Sequence, residues 1–471
     1  HLHFMHRFAI LIGFIALIAK AEVKLPAVFS DHMVLQRSNV APVWGWAEPG
    51  EKVTVQFAGQ TKKVTAGNDG KWMVRLDAIE DTKVSGELKV AGKNTVTVKD
   101  VLVGEVWVAS GQSNMAMPVG RCLNADEEAA VAKYPRIRMF ITKRNAQLKP
   151  QADLEGAWII CSPDTVKSFS GTAYFFGRAL HHQLKVPVGI LHSSWGGTAI
   201  EAWTSSRVQE QSDKLGSVLD RWKNKPQANQ NKPANLFNGM IHPLIPYGIR
   251  GGIWYQGERN SKTVEGAKLY EYQLALMIND WRRRWGQGDF PFLWAQLPNF
   301  KKRSDDPNAA SVWAHTRESM ANTLSLPNTG MATTIDIGDA RDIHPKNKQD
   351  VGKRLAGWAL AEFYNQKNAV TTGPMYASHE VTGSKLLVHF DHAKGLKLKK
   401  GAGDLAGFAV AGMDKQFYWA KASINKDGVV ELSCKDVSKP VAVRYAWADN
   451  PEVSLVNEAG LPATPFRTDD W

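Results

Sequence analysis

Residues 103–115 read V-G-E-V-W-V-A-S-G-Q-S-N-M, and this stretch decides the fold. Its first seven positions are mainly apolar and β-branched, the pattern of a strand covered on both faces, as in a parallel sheet. The strand then runs into Gly111, Gln112 and Ser113, a tight turn that places a serine hydroxyl at the carboxyl end of a strand. Ligands bind beyond those ends in open α/β sheets, and backbone N–H groups at such turns point toward a bound oxyanion. A strand-end serine is often only a helix cap. Met115 also stands where the G-x-S-x-G elbow needs glycine, so the serine alone does not establish a nucleophile.

Outward from this turn, buried strands are predicted at 186–192, 251–256, 290–296 and 331–337. They alternate with helices predicted at 171–184, 269–285, 312–324 and 348–364; Tyr270, Leu274, Met277, Ile278 and Trp281 form one apolar stripe at helical spacing. The alternation predicts an α/β domain over 102–368, a parallel sheet flanked by helices. Residues 22–101 consist of short β-like runs separated by E-P-G at 48–50 and N-D-G at 68–70, which predicts an N-terminal β-sandwich. Residues 369–471 return to strands, at 383–390, 417–424 and 441–447, and to turns such as N-K-D-G at 425–428. They predict a C-terminal β-domain.

Composition bounds the function classes. An apolar run at 8–19 follows Arg7 and precedes A-K-A at 19–21, the layout of a cleavable signal peptide over 1–21, with residues 1–4 ahead of the first candidate start, Met5. Export to the periplasm or the exterior is expected, and the mature chain carries no further stretch of membrane-spanning length. The formal net charge of +12 suits an acidic partner such as a sialic or uronic acid or an anionic surface. The basic residues are scattered, apart from Arg282 to Arg284 and Lys301 to Arg303, and no nucleic-acid motif accompanies them. Nothing in the sequence specifies an oligomer. Cys122, Cys161 and Cys434 have no metal-ligand spacing; one disulfide, Cys122 with Cys161 the nearer pair, and buried free thiols are both compatible with them. No H-E-x-x-H, zinc-type cysteine spacing or Walker A pattern is present, so no metal or cofactor is expected.

The other predicted strand ends carry matching chemistry. The second leads into S-S-W-G-G-T at 193–198, where Gly196 and Gly197 offer bare backbone N–H groups suited to an oxyanion hole. The third ends in W-Y-Q-G-E at 254–258, with Gln256 a candidate side-chain donor and Glu258 a structural acceptor. The last enters D-I-G-D-A-R-D-I-H-P at 336–345, so one loop supplies a candidate general base, His344, together with carboxylates to orient it. Strand-end serine, paired glycines, amide and Asp/His loop, in that order, favour a hydrolase over the bland reading of each part.

These motifs, together with V-F-S-D-H-M-V-L-Q-R at 28–37, W-G-W-A at 44–47, I-E-A-W at 200–203 and N-G-M-I-H-P-L at 238–244, resemble the sialate O-acetylesterase family within the SGNH hydrolases, along nearly all of the mature chain. The resemblance implies Ser113 as nucleophile and His344 as base. It also implies an oxyanion hole built from the backbone of Ser113 and Gly196 or Gly197 with the Gln256 side chain. SGNH hydrolases commonly place Asp three residues before His, where this chain has Arg341; Asp342 is the preferred acid, with Asp339 or a Ser-His dyad as the alternatives. Trp195, Trp254, Trp203 and Trp313 are candidate sugar platforms, and Arg341 and Arg250 candidate partners of a sugar carboxylate. Asn238 and His242 are read as supports of the site floor, Asn238 also as a candidate substrate contact. The expected activity is release of acetate from O-acetylated sialic acid. An acetyl-xylan or other hemicellulose esterase, or a non-catalytic carbohydrate-binding protein, are the alternatives.

Overall fold

A single long strand, β1 (Thr95–Gly111), carries the chain from its N-terminal region into the central sheet and ends at the serine turn. The computed structural model describes residues 22–471; the signal peptide expected at 1–21 lies outside the described residues. The lower half of β1 pairs antiparallel with Ser85–Ala91, and its middle pairs parallel with Val34–Gln36. Its upper half is flanked by β4 (Val188–Ser194) and β5 (Gly251–Tyr255), both parallel to it.

The remaining strands of the central sheet are β2 (Ile137–Thr142), β3 (Gly156–Ile160), β6 (Phe292–Ala295) and β7 (Thr329–Ala332), in the order β7-β6-β5-β1-β4-β2-β3. All neighbours are parallel except β3, which returns antiparallel to β2. The architecture is therefore mixed α/β rather than a purely parallel sheet. Sequence periodicity misses β2 and β3. In β2 the alternation is interrupted by Arg138, which is buried because its guanidinium meets Asp100 at 2.9 Å and donates to the His32 carbonyl at 3.1 Å.

Side chains along β1 alternate between two apolar layers, as the pleat requires. Val106 and Val108 face α3 (Val264–Trp285) and α4 (Val312–Asn322) through Tyr270, Leu274, Trp281, Trp313 and Met320. Trp107 and Ala109 face α2 (Gly171–Leu184) and α5 (Lys348–Trp358) through Phe175, Phe176, Leu180, Val351 and Leu355. Each of these four helices starts at a side-chain cap, Ser170, Thr263, Ser311 or Asn347, whose oxygen accepts an orphan N–H of the first turn. The Thr263 cap explains why α3 begins five residues before the apolar stripe predicts. The helix expected at 348–364 ends as α-helix at Trp358 and continues as a π-helical turn, Ala359–Phe363.

In the N-terminal region the two-stranded antiparallel ribbon Ala41–Trp46 with Lys71–Leu76 packs beside the sheet of Lys52–Phe57, Gln60–Thr65 and Ser85–Ala91, and its core is continuous with the α3 face. In the C-terminal region two four-stranded sheets enclose Leu386, Val388, Val430, Leu432, Phe408, Val410, Val443 and Tyr445. The strand expected at 417–424 divides at Ala420 into Phe417–Trp419 and Lys421–Ile424, which belong to different sheets. Arg317 of α4, fully buried, pins this region to the central domain by donating to the carbonyls of Ala448 (2.6 Å) and Asp449 (2.9 Å) as well as Leu297 and Pro298. All three cysteines are free thiols, and burial pushes Cys122 up to about 11 and Cys161 to about 12, so neither is a nucleophile at neutral pH. Among the described residues no helix is long and apolar enough to cross a membrane, and no group of three or more His, Cys, Asp or Glu is placed to hold a metal ion.

Candidate active site

The serine turn is held by both neighbouring strands. Gln112 N–H donates to the Tyr255 carbonyl of β5 at 2.9 Å, and Trp195 N–H donates to the Gly111 carbonyl from the end of β4 at 3.1 Å. Gly111 has φ +138°, and a Cβ there would lie 2.2 Å from the Tyr255 oxygen, so only glycine lets β1 turn at this point. The short helix α1 (Ser113–Ala116) follows at once and leaves the Ser113 hydroxyl at the surface of the turn.

His344 comes to it from the loop after β7. Its Nε2 lies 2.9 Å from Ser113 Oγ, and its Nδ1 lies 3.1 Å from Asp342 Oδ1. Because a carboxylate can only accept, Nδ1 carries a proton and Nε2 is left to accept from the serine hydroxyl. Asp342 Oδ1 also accepts the His344 backbone N–H at 2.9 Å, and this bond, ahead of the imidazole, holds the Asp342 carboxyl below its usual range. Asp339 instead accepts the Arg341 N–H at 2.8 Å. Of the two candidate carboxylates, Asp342 is the one that meets the histidine, two residues before it rather than three.

The backbone N–H groups of Ser113 and Gly196 have no acceptor among the described residues, and a Cβ on Gly196 would lie 3.3 Å from Ser113 Cβ. Gly197, next along, has φ +71° and open space around it. These glycines and the serine turn therefore converge. Gln256 departs from expectation. It is fully buried, its amide donates to the Thr198 carbonyl (3.0 Å) and Asn260 Oδ1 (2.8 Å), and its oxygen accepts from Tyr270 (2.8 Å). Its N–H groups are thus committed to bracing the W-G-G-T turn from behind rather than offered to an oxyanion.

Behind the turn lies a polar cluster that the sequence did not reveal. Asn114, fully buried, donates to Glu258 Oε1 at 2.5 Å and to the Ile343 carbonyl at 3.0 Å, and accepts from Lys348 Nζ at 2.6 Å. Lys348, also fully buried, donates in addition to the Pro345 carbonyl at 2.7 Å. Burial pushes the Lys348 ammonium down to about 8 and the Glu258 carboxyl up. Glu258 is the structural acceptor expected. Lys348 gave no signal, because at the start of an amphipathic helix a lysine normally reads as a solvated residue.

The substrate-contact candidates divide. Trp195, half-buried, lies beside the glycine pair with Arg144 over its ring at 5.9 Å, and Arg341 is exposed next to Asp342. Trp254, Trp203 and Trp313 are buried core residues: Trp254 lies in β5 of a sheet covered on both faces, Trp203 packs edge-to-face on it at 6.0 Å, and Trp313 of α4 donates its indole N–H to the Pro298 carbonyl. Asn238 is buried and donates to the Gln147 carbonyl, and Arg250 is spent on the Phe363 carbonyl and the Tyr364 ring; neither reaches the site.

A family model described as carbohydrate esterase, sialic acid-specific acetylesterase, matches residues 103–361. The sialate O-acetylesterase of Homo sapiens is 32% identical over 493 residues, covering 94% of this chain and 92% of its own. That of Mus musculus is 30% identical over 519 residues, covering 94% of each. Among solved structures, a carbohydrate acetylesterase from Xanthomonas citri superposes with a TM-score of 0.86 at 40% identity, covering 95% of this chain and all of that one.

Proposed function

The chain belongs to the sialic acid-specific acetylesterase family of carbohydrate esterases, and on that premise we propose that it releases acetate from O-acetylated sialic acids through an acetyl-enzyme on Ser113. It is a carboxylic ester hydrolase, and the observation that carries the proposed mechanism is the 2.9 Å approach of Ser113 Oγ to His344 Nε2, with Asp342 on the far side of the ring. An SGNH-type reading of the domain and export of the mature chain are parts of the same proposal.

In this mechanism His344 takes the hydroxyl proton as Oγ attacks the acetyl carbonyl carbon. The backbone N–H groups of Ser113 and Gly196 receive the developing oxyanion. Collapse of the tetrahedral intermediate expels the sugar oxygen, which His344 protonates. Water, deprotonated by the same histidine, then attacks the acetyl-serine and releases acetate. Trp195 supplies an aromatic face for the sugar, and the exposed Arg341 guanidinium a partner for its carboxylate.

Acetate release from O-acetylated sialic acid and from acetylated xylan, measured side by side with the wild type and Ser113→Ala, tests the proposal. Turnover of the sialate ester that disappears in the variant supports it. Turnover of xylan alone keeps the mechanism and replaces the substrate. No release from either, or from an aryl acetate, contradicts it and returns the carbohydrate-binding reading.

A further inference from the structure

A cavity of about 360 Å³ lies where the N-terminal ribbon of Ala41–Trp46 and Lys71–Leu76 meets the central domain, lined by Trp44, Trp46, Lys71 and Met73 of the ribbon and by Ala152, His242 and Ile245. None of these residues belongs to the Ser113–His344 constellation. The volume falls in the range of small-molecule sites, roughly 300–1,000 Å³.

The register of the ribbon determines what it presents. Trp44 pairs with Met73 and Trp46 with Lys71, so these four side chains share one face, while the buried Val43, Gly45, Trp72 and Val74 share the other; Gly45 and Trp72 still border the cavity, and Trp44 packs edge-to-face on Phe29 of the core. Trp44 and Trp46 are half-buried, and neither indole N–H has an acceptor among the described residues. Opposite them, His242 Nδ1 lies 2.9 Å from the Gln151 carbonyl. A carbonyl only accepts, so Nδ1 is the protonated nitrogen, and Nε2, which has no partner among the described residues, is a free acceptor. The Trp46 indole face, two unpaired indole donors and one imidazole acceptor, with Trp44 fixed edge-to-face against Phe29, match a pyranose ring, whose axial and equatorial C–H groups stack on aromatics while its hydroxyls both donate and accept.

The cavity also shares a loop with the site. The segment between β2 and β3 carries Arg144 over Trp195, beside Gly196, and Gln151 on His242. Between those two contacts the Gln147 carbonyl accepts from Asn238 Nδ2 at 3.0 Å.

We propose that the Trp44–Trp46–His242 cavity is a second saccharide subsite, which binds a pyranose ring of the carbohydrate whose ester is cleaved at Ser113. It rests on the carbohydrate substrate of the proposed function, but its test needs no hydrolysis. Sialyllactose and xylohexaose, both free of acetyl groups, are titrated into the wild-type protein while tryptophan fluorescence is followed, and Trp44 and Trp46 oxidation by N-bromosuccinimide is mapped by mass spectrometry with and without each sugar. The expected result is a saturable fluorescence change and protection of Trp44 and Trp46 by at least one sugar. Trp46→Ala, checked for folding by circular dichroism, should weaken that binding roughly tenfold or more, about 1.4 kcal/mol. Absence of saturation and protection with both sugars, or undiminished affinity in a folded Trp46→Ala, overturns the subsite. Either result is independent of whether Ser113 supports acetate release.

Discussion

Asn114 and Ile343 tie the two halves of the site together: the side-chain amide of the residue after Ser113 donates to the carbonyl of the residue before His344, at 3.0 Å. Lys348 completes the clamp by holding the Asn114 oxygen and the Pro345 carbonyl, one residue beyond the histidine. The Ser113–His344 distance is thereby set by backbone anchors on both sides of the imidazole. Asp342, whose side chain is 49% exposed, does not set it alone.

Lys348→Met keeps the length of the side chain and removes its charge and donors, leaving two buried acceptors short of a partner at about 1–3 kcal/mol each. We expect kcat to fall about 10–100-fold, because a displacement near 1 Å at a reacting group costs on the order of 10²-fold. The pH dependence separates this charge from mere packing. Below about pH 8 the lysine is protonated folded and unfolded alike, and the fold bears the cost of burying it. Between about 8 and its unperturbed 10.5 only the unfolded chain keeps the proton, so wild-type stability rises with pH relative to Lys348→Met. Melting temperatures of both proteins from pH 7 to 11 check the sign; a constant difference contradicts it.

His344→Ala should lower kcat/KM by about 10³-fold or more, the loss of a general acid–base group. Asp342→Asn keeps an oxygen for the His344 N–H and loses the charge facing Nδ1. Its partial exposure limits the expected loss to roughly tenfold, about 1.4 kcal/mol, the low end for a hydrogen bond to a charged group. A loss equal to that of His344→Ala contradicts this division. The Asp342 carboxyl, held below 3.8, stays ionised as pH falls through the usual carboxylate range. Its support of the loop is present above 3.8 and lost only at lower pH.

Much of this site was legible because chemistry in an α/β sheet gathers at strand ends, and Ser113, Gly196 and His344 each follow a strand that hydrophobic pattern alone reveals. What pattern could not supply is which polar groups are buried and where they point. Gln256 sits at a strand end as a donor should, yet its hydrogens turn inward to Thr198 and Asn260. Lys348 and Asn114 look like surface residues and are not. The tryptophans at 203, 254 and 313 follow the right motifs but face the core. The strands β2 and β3 escaped because a buried arginine in one and the half-exposed edge position of the other hide the period on which such reading depends.

Gly196→Ala puts a methyl 3.3 Å from Ser113 Cβ and crowds the N–H assigned to the oxyanion. A loss of roughly tenfold in kcat is expected, with KM nearly unchanged, less than the roughly 10²–10³-fold for outright removal of an oxyanion donor, because alanine keeps the N–H and only displaces it. Steady-state kinetics on an aryl acetate are sufficient to see it, and an unchanged kcat shows that the Ser113 turn absorbs the methyl without moving the N–H.

Gln256→Ala makes the converse case. Because the amide braces buried partners, its loss should appear first as a lowered melting temperature, about 1–3 kcal/mol for unsatisfied groups such as the Thr198 carbonyl. A kcat loss as large as that of Gly196→Ala, without destabilisation, would restore Gln256 as an oxyanion donor.

The most direct test of the whole account is rapid-quench mass spectrometry of the enzyme mixed with an activated acetyl ester, with peptide mapping of any adduct. The expected result is one acetyl group, on Ser113, that accumulates in the wild type, is lost on the timescale of turnover, and is absent from Ser113→Ala. Turnover without acetylation of Ser113, or an acetyl group on another residue that persists in Ser113→Ala, would contradict it.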